Sequence, residues 1–466
     1  MSEGATGTAA SSAQHVVGLG FLLRTKRLLD YAVIMAGIGF CWMGITVAQS
    51  YLNPWAQSHG LSPAQAGTVF SVQPFAVVLV QAFIPCLARR CGRGNLLTAG
   101  LCLSSASQCG FALMPSIVTT HGGHALFTGL VSAAVVAGLG EGVVETCTYT
   151  LLQEVFPDVV GQVTGHVEAW IGIGVVFGPV IGGFLYELAG FSLPPAVIAA
   201  ALLILAVVCC TWSIRRARTA RELQSATSMA STPLAECRIG SAGGAVADGP
   251  SNEAEEAGPY RRDVAVFLFA LGGVFASGFV GGCLAPLMSY HWVEGLGWAE
   301  STVGLIISAW GVIYMAMAVL AGTLCDRGPR FARTVFSIGS LSSATGLFVI
   351  GQTALPPAVS VSGVLLLGIA DAFLIVPGLS LLRQSAPNRE DSFVAALLNG
   401  CFSLGLGAGP LLAVPLSKHI GLRSTMESVA AVGMALGIAL TAVMAARPCP
   451  APCERGGESG AGSSVA

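Results

Sequence analysis

Gly174-Val-Val-Phe-Gly178-Pro179-Val-Ile-Gly182-Gly183 lies inside an apolar run and is echoed 231 residues later by Gly405-Leu-Gly-Ala-Gly409-Pro410-Leu-Leu-Ala. Glycines four apart let helices approach closely in a membrane. A proline among them removes a helix hydrogen bond and permits bending. A second pair of motifs follows at an offset of 237 residues. Its later copy reads Gly322-Thr-Leu-Cys-Asp326-Arg327-Gly-Pro-Arg330 and its earlier copy Pro85-Cys-Leu-Ala-Arg89-Arg90-Cys-Gly92-Arg93. Two motifs repeated at nearly one offset mark a duplicated unit.

Around these motifs the chain is apolar almost throughout. Of 466 residues, 54% are hydrophobic and 10% charged. A soluble domain carries about 25% charged residues, so this is the composition of a polytopic membrane protein. Spanning the hydrocarbon takes about 20 apolar residues as a helix. Twelve segments qualify: 28–52, 66–87, 95–114, 124–152, 163–186, 194–213, 264–288, 303–324, 334–352, 359–382, 393–416 and 424–446. The fold expected is all-α, twelve transmembrane helices in two six-helix, pseudo-symmetric halves. Internal repeats of this kind build transporters in which one half rocks against the other.

The domain plan follows. Residues 1–27 form a polar tail with no secretory-signal pattern. The six-helix halves are 28–214 and 263–446, and 447–466 is a C-terminal tail. The stretch 215–262 mixes Arg215, Arg216, Arg218 and Arg221 with Glu253, Glu255 and Glu256 among small polar residues. That composition favours a disordered linker. With both termini in the cytosol, 20 of the 22 Lys and Arg fall on that side, all but Lys418 and Arg423; the positive-inside rule therefore sets the orientation. Which membrane holds the chain stays open between the plasma membrane and a vesicle.

Several classes of function are excluded. The lysines, Lys26 and Lys418, cannot complete a phosphate-binding GxxxxGK[ST] loop, so the chain is no ATP-driven pump. Histidines are scattered, and the 14 cysteines show no CxxC pair. No cofactor, no metal and no enzyme activity are expected, and no basic face is offered to nucleic acid.

Acids within the spans are the candidate site, because an ionisable group in a bilayer is costly. Glu141 and Glu145 are four apart on the fourth span and share a face. Glu168 lies on the fifth span and Asp371 on the tenth, with no base well inside any span. Counted from the helix ends, Glu145 and Glu168 both stand about 10 Å below the cytosolic surface. Two carboxyls meeting there form a site that can take up and release a proton. Asp371, central in its span, is placed to bind a substrate ammonium. Trp170, Trp310, Tyr149 and Tyr314 are aromatic faces available to a cation. Asp30 is read as a partner of Arg27.

The motifs resemble those of the major facilitator superfamily. Gly174, Gly178, Pro179, Gly182 and Gly183 match its antiporter pattern GxxxGPxxGG, with Gly409 and Pro410 as the second-half counterpart; the resemblance implies a hinge in these helices. Gly322, Asp326, Arg327 and Arg330 resemble the loop motif GxxxDRxGR, which implies a cytosolic gate. The stretch from Phe156-Pro157-Asp158 to Phe191 is similar to the vesicular amine and polyamine transporter branch. The chain departs from the family at Arg89 and Pro85, where the first loop motif has Asp and Gly, and at Ala134 and Ala137, where a span-four motif has Arg and Gln. Gln73 and Asn399 stand where the monoamine branch has a lysine and an aspartate, which implies a polar pair in the substrate region.

The function expected is secondary transport, with protons exchanged for an organic cation such as a polyamine by a carrier acting as a monomer. Facilitative uniport, proton-coupled carriage of a neutral metabolite, and a non-transporting sensor on the same fold are the alternatives.

Overall fold

The computed structural model describes residues 28–48, 51–230, 264–289, 292, 297–298, 300–352, 356–386 and 390–446. Among these the regular structure is helical, with no strand. That is what lipid demands, since each backbone N–H and C=O must be satisfied within its own segment. The tails, residues 231–262 of the expected linker, Arg27, Cys449 and Cys453 lie outside the described residues.

The first half comprises α1 (Leu28–Thr46), a short α2 (Leu52–Ser58), α3 (Pro63–Gln81), α4 (Ile84–Cys91), α5 (Arg93–Ala112), α6 (Met114–Val155), α7 (Val160–Ala189) and α8 (Leu193–Ala230). The second comprises α9 (Val264–Ser289), α10 (Glu300–Cys325), α11 (Pro329–Gly351), α12 (Pro357–Ser385), α13 (Asp391–Ile420) and α14 (Leu422–Ala446). Ten helices are long and apolar enough to cross a membrane, and α3 with α4, bent by 57°, makes an eleventh. The remaining expected span is α5, a 20-residue helix whose polar Ser104, Ser105, Ser107 and Gln108 are buried against its neighbours.

Local signals explain the ends. Ser62 accepts from the Gln65 N–H at 3.3 Å while the Gln65 side chain accepts from the Ser62 N–H at 2.9 Å. This reciprocal capping box starts α3. Gly122, at φ +79°, breaks α6 where the loop before the fourth span was expected. The sixth span continues as helix to Ala230, so residues 215–230, expected as linker, are helical. Arg, Glu, Leu, Gln and Ala there are strong helix formers that can extend a nucleated helix into water.

The glycine-proline motifs do their packing inside each half. A Cβ on Gly174 would meet the Gly39 carbonyl at 2.8 Å, one on Gly178 the Thr46 hydroxyl, and one on Gly182 the Val47 carbonyl. α7 is thus pressed onto α1, and the Thr46 hydroxyl donates to the Gly174 carbonyl at 2.9 Å. In the second half Gly405 and Gly409 meet the carbonyls of Phe275 and Phe279, pressing α13 onto α9. Both helices continue through Pro179 and Pro410. The halves meet chiefly where α7 runs along α10 and α3 along α13.

Candidate functional site

The four acids are all buried, and each is held by a neutral donor. Glu141 accepts from the Gln73 amide at 2.8 Å, and Glu145 from the Trp42 indole at 2.9 Å. Asp371, fourteen residues from either end of α12, accepts from the Ser277 hydroxyl at 2.6 Å. The Trp310 indole faces the same carboxyl without a well-formed hydrogen bond. Trp310 is stacked on Tyr314, with ring centroids 5.7 Å apart and planes 15° apart.

Glu168 is 2% exposed and has both oxygens occupied. Tyr149 on α6 donates to Oε1 and Tyr314 on α10 donates to Oε2. The second bond crosses between the halves. Glu145 lies within electrostatic reach of Glu141 and Glu168, although no hydrogen bond joins the carboxyls among the described residues. One cluster therefore gathers Glu141, Glu145 and Glu168 with Trp42, Gln73, Tyr149 and Tyr314. Asp371 approaches it from the other half, within electrostatic reach of Tyr314.

The pairing expected of Gln73 and Asn399 is absent: Gln73 is engaged by Glu141. Asn399, on α13, instead reaches the Thr146 hydroxyl at 3.5 Å, and Thr146 donates to the Gln81 side-chain amide oxygen at 2.7 Å. Gln81 lies two turns beyond Gln73 on α3, at the depth of Asn399, which enters from the start of α13. Asp30 accepts from the Trp212 indole on α8. Trp42, Ser277, Gln81 and Thr146 went unread because an uncharged residue in an apolar run is not conspicuous.

The loop motifs lie together on one face, where α4, α6 and α10 end and α7 and α13 begin. Asp326, just past α10, accepts from the backbone N–H of Gly161 at 2.7 Å and of Gln162 at 2.9 Å. It caps the first turn of α7 in the opposite half, where the helix dipole favours an anion. Burial pushes its carboxyl above the usual aspartate range, against these bonds, which pull it down. The approach is possible because Gly161 and Gly322 meet backbone to backbone, the carbonyl of each where a Cβ on the other would stand. Arg89 also crosses, reaching Glu390 at the start of α13 at 3.5 Å. The first loop motif has therefore exchanged an acid for a base facing an acid. Arg93, Asp326, Arg383, Gln384 and Glu390 line a recess of about 630 Å³ on this face. Arg330 lies in the first turn of α11, and neither it nor Arg327 shares the Asp326 contact.

Two halves of membrane-crossing helices joined around buried carboxyls, with cross-half contacts gathered on one face, define a membrane transporter. The chain belongs to the Major Facilitator Superfamily, whose family model matches residues 32–271 and 270–463. The mouse MFS-type transporter SLC18B1 is similar to it, 22% identical over 426 residues spanning 85% of this chain and 83% of that one. The D-xylose-proton symporter has a similar fold, with TM-score 0.65 at 14% identity, covering 89% of this chain and 97% of its own. So has the human organic anion transporter MFSD10, with TM-score 0.57 at 15% identity, covering 90% and 100%.

Proposed function

We propose that the protein exchanges protons for an organic cation, a polyamine or another amine, by alternating exposure of the site between the halves. The observation that carries this reading is the set of partners of the four acids. Glutamine, tryptophan, tyrosine and serine hold them, and a base holds none. Carboxyls held by neutral donors keep their charge available for a proton or an ammonium. A carrier of anions needs the opposite sign in the same place, so the likeness to MFSD10 is read as one of fold.

In this reading Glu168, with Glu145 and Glu141, carries the proton, and Asp371 binds the ammonium beside the Trp310–Tyr314 wall. Gln73 and Asn399 shape the polar surroundings. The loop-motif face is taken as cytosolic, a reading supported by the basic residues gathered there, with both termini assigned to that side. Asp326 closes the face and the glycine-proline helices are the hinges. One chain suffices, since both halves of the site come from it. A proton-coupled neutral substrate is the second reading, for which the Gln73, Tyr149 and Tyr314 groups beside the acids would serve as hydrogen-bond partners.

Proteoliposomes with an imposed pH gradient, challenged with spermidine, monoamines and neutral sugars, test the proposal. Accumulation of an amine that collapses with the gradient is expected. Accumulation of sugars alone moves the protein to the second reading, and gradient-independent equilibration overturns proton exchange.

A further inference from the structure

Glu168 takes its two hydroxyl donors from different halves. Tyr149 belongs to its own half and moves with it; Tyr314 belongs to the other. A carboxylate is an acceptor on both oxygens. A proton placed on either oxygen turns it from a strong acceptor into a weak one, so that the phenol bonded there turns or withdraws. Withdrawal of Tyr149 disturbs one half internally. Withdrawal of Tyr314 separates α7 from α10, along the seam on which the halves move.

The other cross-half polar contacts among the described residues lie away from the buried cluster, and Asp326, itself a carboxyl held across the halves, is a second group whose protonation loosens this face. Asp326 bonds backbone at the rim, Arg89 and Glu390 are exposed, and Asn399 and Thr146 do not titrate. The ionisable groups facing Glu168 are Tyr149 and Glu145 from α6, Tyr314 from α10, and Asp371 of α12 through Tyr314. On the α1 side Tyr31 is engaged with His166 at 3.3 Å.

We propose that Tyr314 is the positioning residue that converts protonation of Glu168 into release of the loop-motif face. With Glu168 ionised, its bond from Tyr314 ties α10 to α7 and holds that face shut. A proton arriving from the opposite side forms an O–H on Glu168, releases Tyr314, and later leaves to the loop-motif side; Tyr314 keeps its own proton throughout. This rests on the reading of Glu168 as the proton-coupling group.

The test needs no substrate. A thiol placed in the recess by Gln384→Cys, with Cys86, Cys91, Cys210, Cys237, Cys449 and Cys453 changed to Ser, is labelled by a polar maleimide in the full chain in liposomes. In the parent, the labelling rate divided by that of the unfolded protein at the same pH, which removes the loss of reactive thiolate on acidification, should rise at least about fivefold as the pH falls from about 8 to 5.5, a population shift of that size. Tyr149→Phe and Tyr314→Phe each delete one phenol hydroxyl from Glu168. Tyr149→Phe should keep the step and move its midpoint. Tyr314→Phe should label fast at every pH, as should Glu168→Gln. Tyr31→Phe, which deletes a phenol hydroxyl that bonds α7 at His166 rather than at Glu168, should keep the step and so exclude a general effect of losing a phenol. A step that survives Tyr314→Phe, vanishes equally in Tyr149→Phe, or is missing from the parent overturns the proposal. Spermidine uptake measured on the same vesicles separates the failures. A pH step without proton-driven uptake removes the proposed function, whereas driven uptake with an intact step in Tyr314→Phe removes only the role of Tyr314.

Discussion

Glu168→Gln keeps the shape of the side chain and removes its titration. It should abolish accumulation driven by a pH gradient while counterflow exchange of spermidine stays measurable, since exchange needs no net proton movement. Accumulation at the wild-type level would take Glu168 out of the coupling role. Asp371→Asn keeps an acceptor for Ser277 and removes the charge. It should weaken spermidine binding by about tenfold, about 1.4 kcal/mol, with expression and melting temperature unchanged. Unchanged affinity in equilibrium binding would remove Asp371 from the site. These acids were legible because a carboxylate in an apolar run is conspicuous. Their partners were not. Tyr149 lies 19 residues from Glu168 and Tyr314 lies 146 residues away, so only the fold brings both hydroxyls to one carboxyl. The Gln73–Asn399 pair shows the converse. Aligned positions suggested a contact, but the Gln73 amide donates to the Glu141 carboxyl on the neighbouring helix instead.

At the scale of elements, hydropathy gave the spans of the second half with ends within five residues of the helices. It misjudged the polar extension of α8, where propensity rather than burial sustains the helix. The repeated glycines were visible in the sequence, but their neighbours were not: α1 for α7, and α9 for α13. Close packing is therefore their structural role, to which the proposed hinge is added. Gly178→Ala places a methyl group against the Thr46 hydroxyl and should destabilise the first half by about 1–3 kcal/mol, the usual cost of overpacking. Gly272→Ala, within α9 and with nothing within 4 Å of the added carbon, should be neutral or slightly stabilising. Thermal unfolding in detergent compares the two. Equal melting temperatures would show that α7 does not need its close approach to α1.

For the whole molecule the question is which contacts hold the two halves together on the loop-motif face. Arg89 and Glu390 are 67% and 46% exposed, and pairs so exposed contribute about 0–1 kcal/mol, screened by salt. Asp326 takes two backbone N–H bonds at the start of a helix, in a half-buried place where its negative charge also meets the helix dipole. Charge-assisted bonds of this kind are roughly twice as strong as neutral ones. The two copies of the loop motif thus latch by different chemistry and with unequal strength, although their places in the repeat correspond. Asp326→Asn removes the charge and turns one acceptor into a donor facing an N–H. It should shift the resting population toward the state open on this face by about tenfold, for a loss of about 1.4 kcal/mol, and lower turnover with spermidine still bound. Arg89→Ala should shift it by less than about threefold, and 0.5 M salt should reproduce that effect in the parent. Labelling of a thiol at Gln384 from the loop-motif side reads both variants on one scale. Equal shifts in the two variants, or none in Asp326→Asn, would show that the halves are held along the α7–α10 seam, where Tyr314 meets Glu168, rather than by the loop motif.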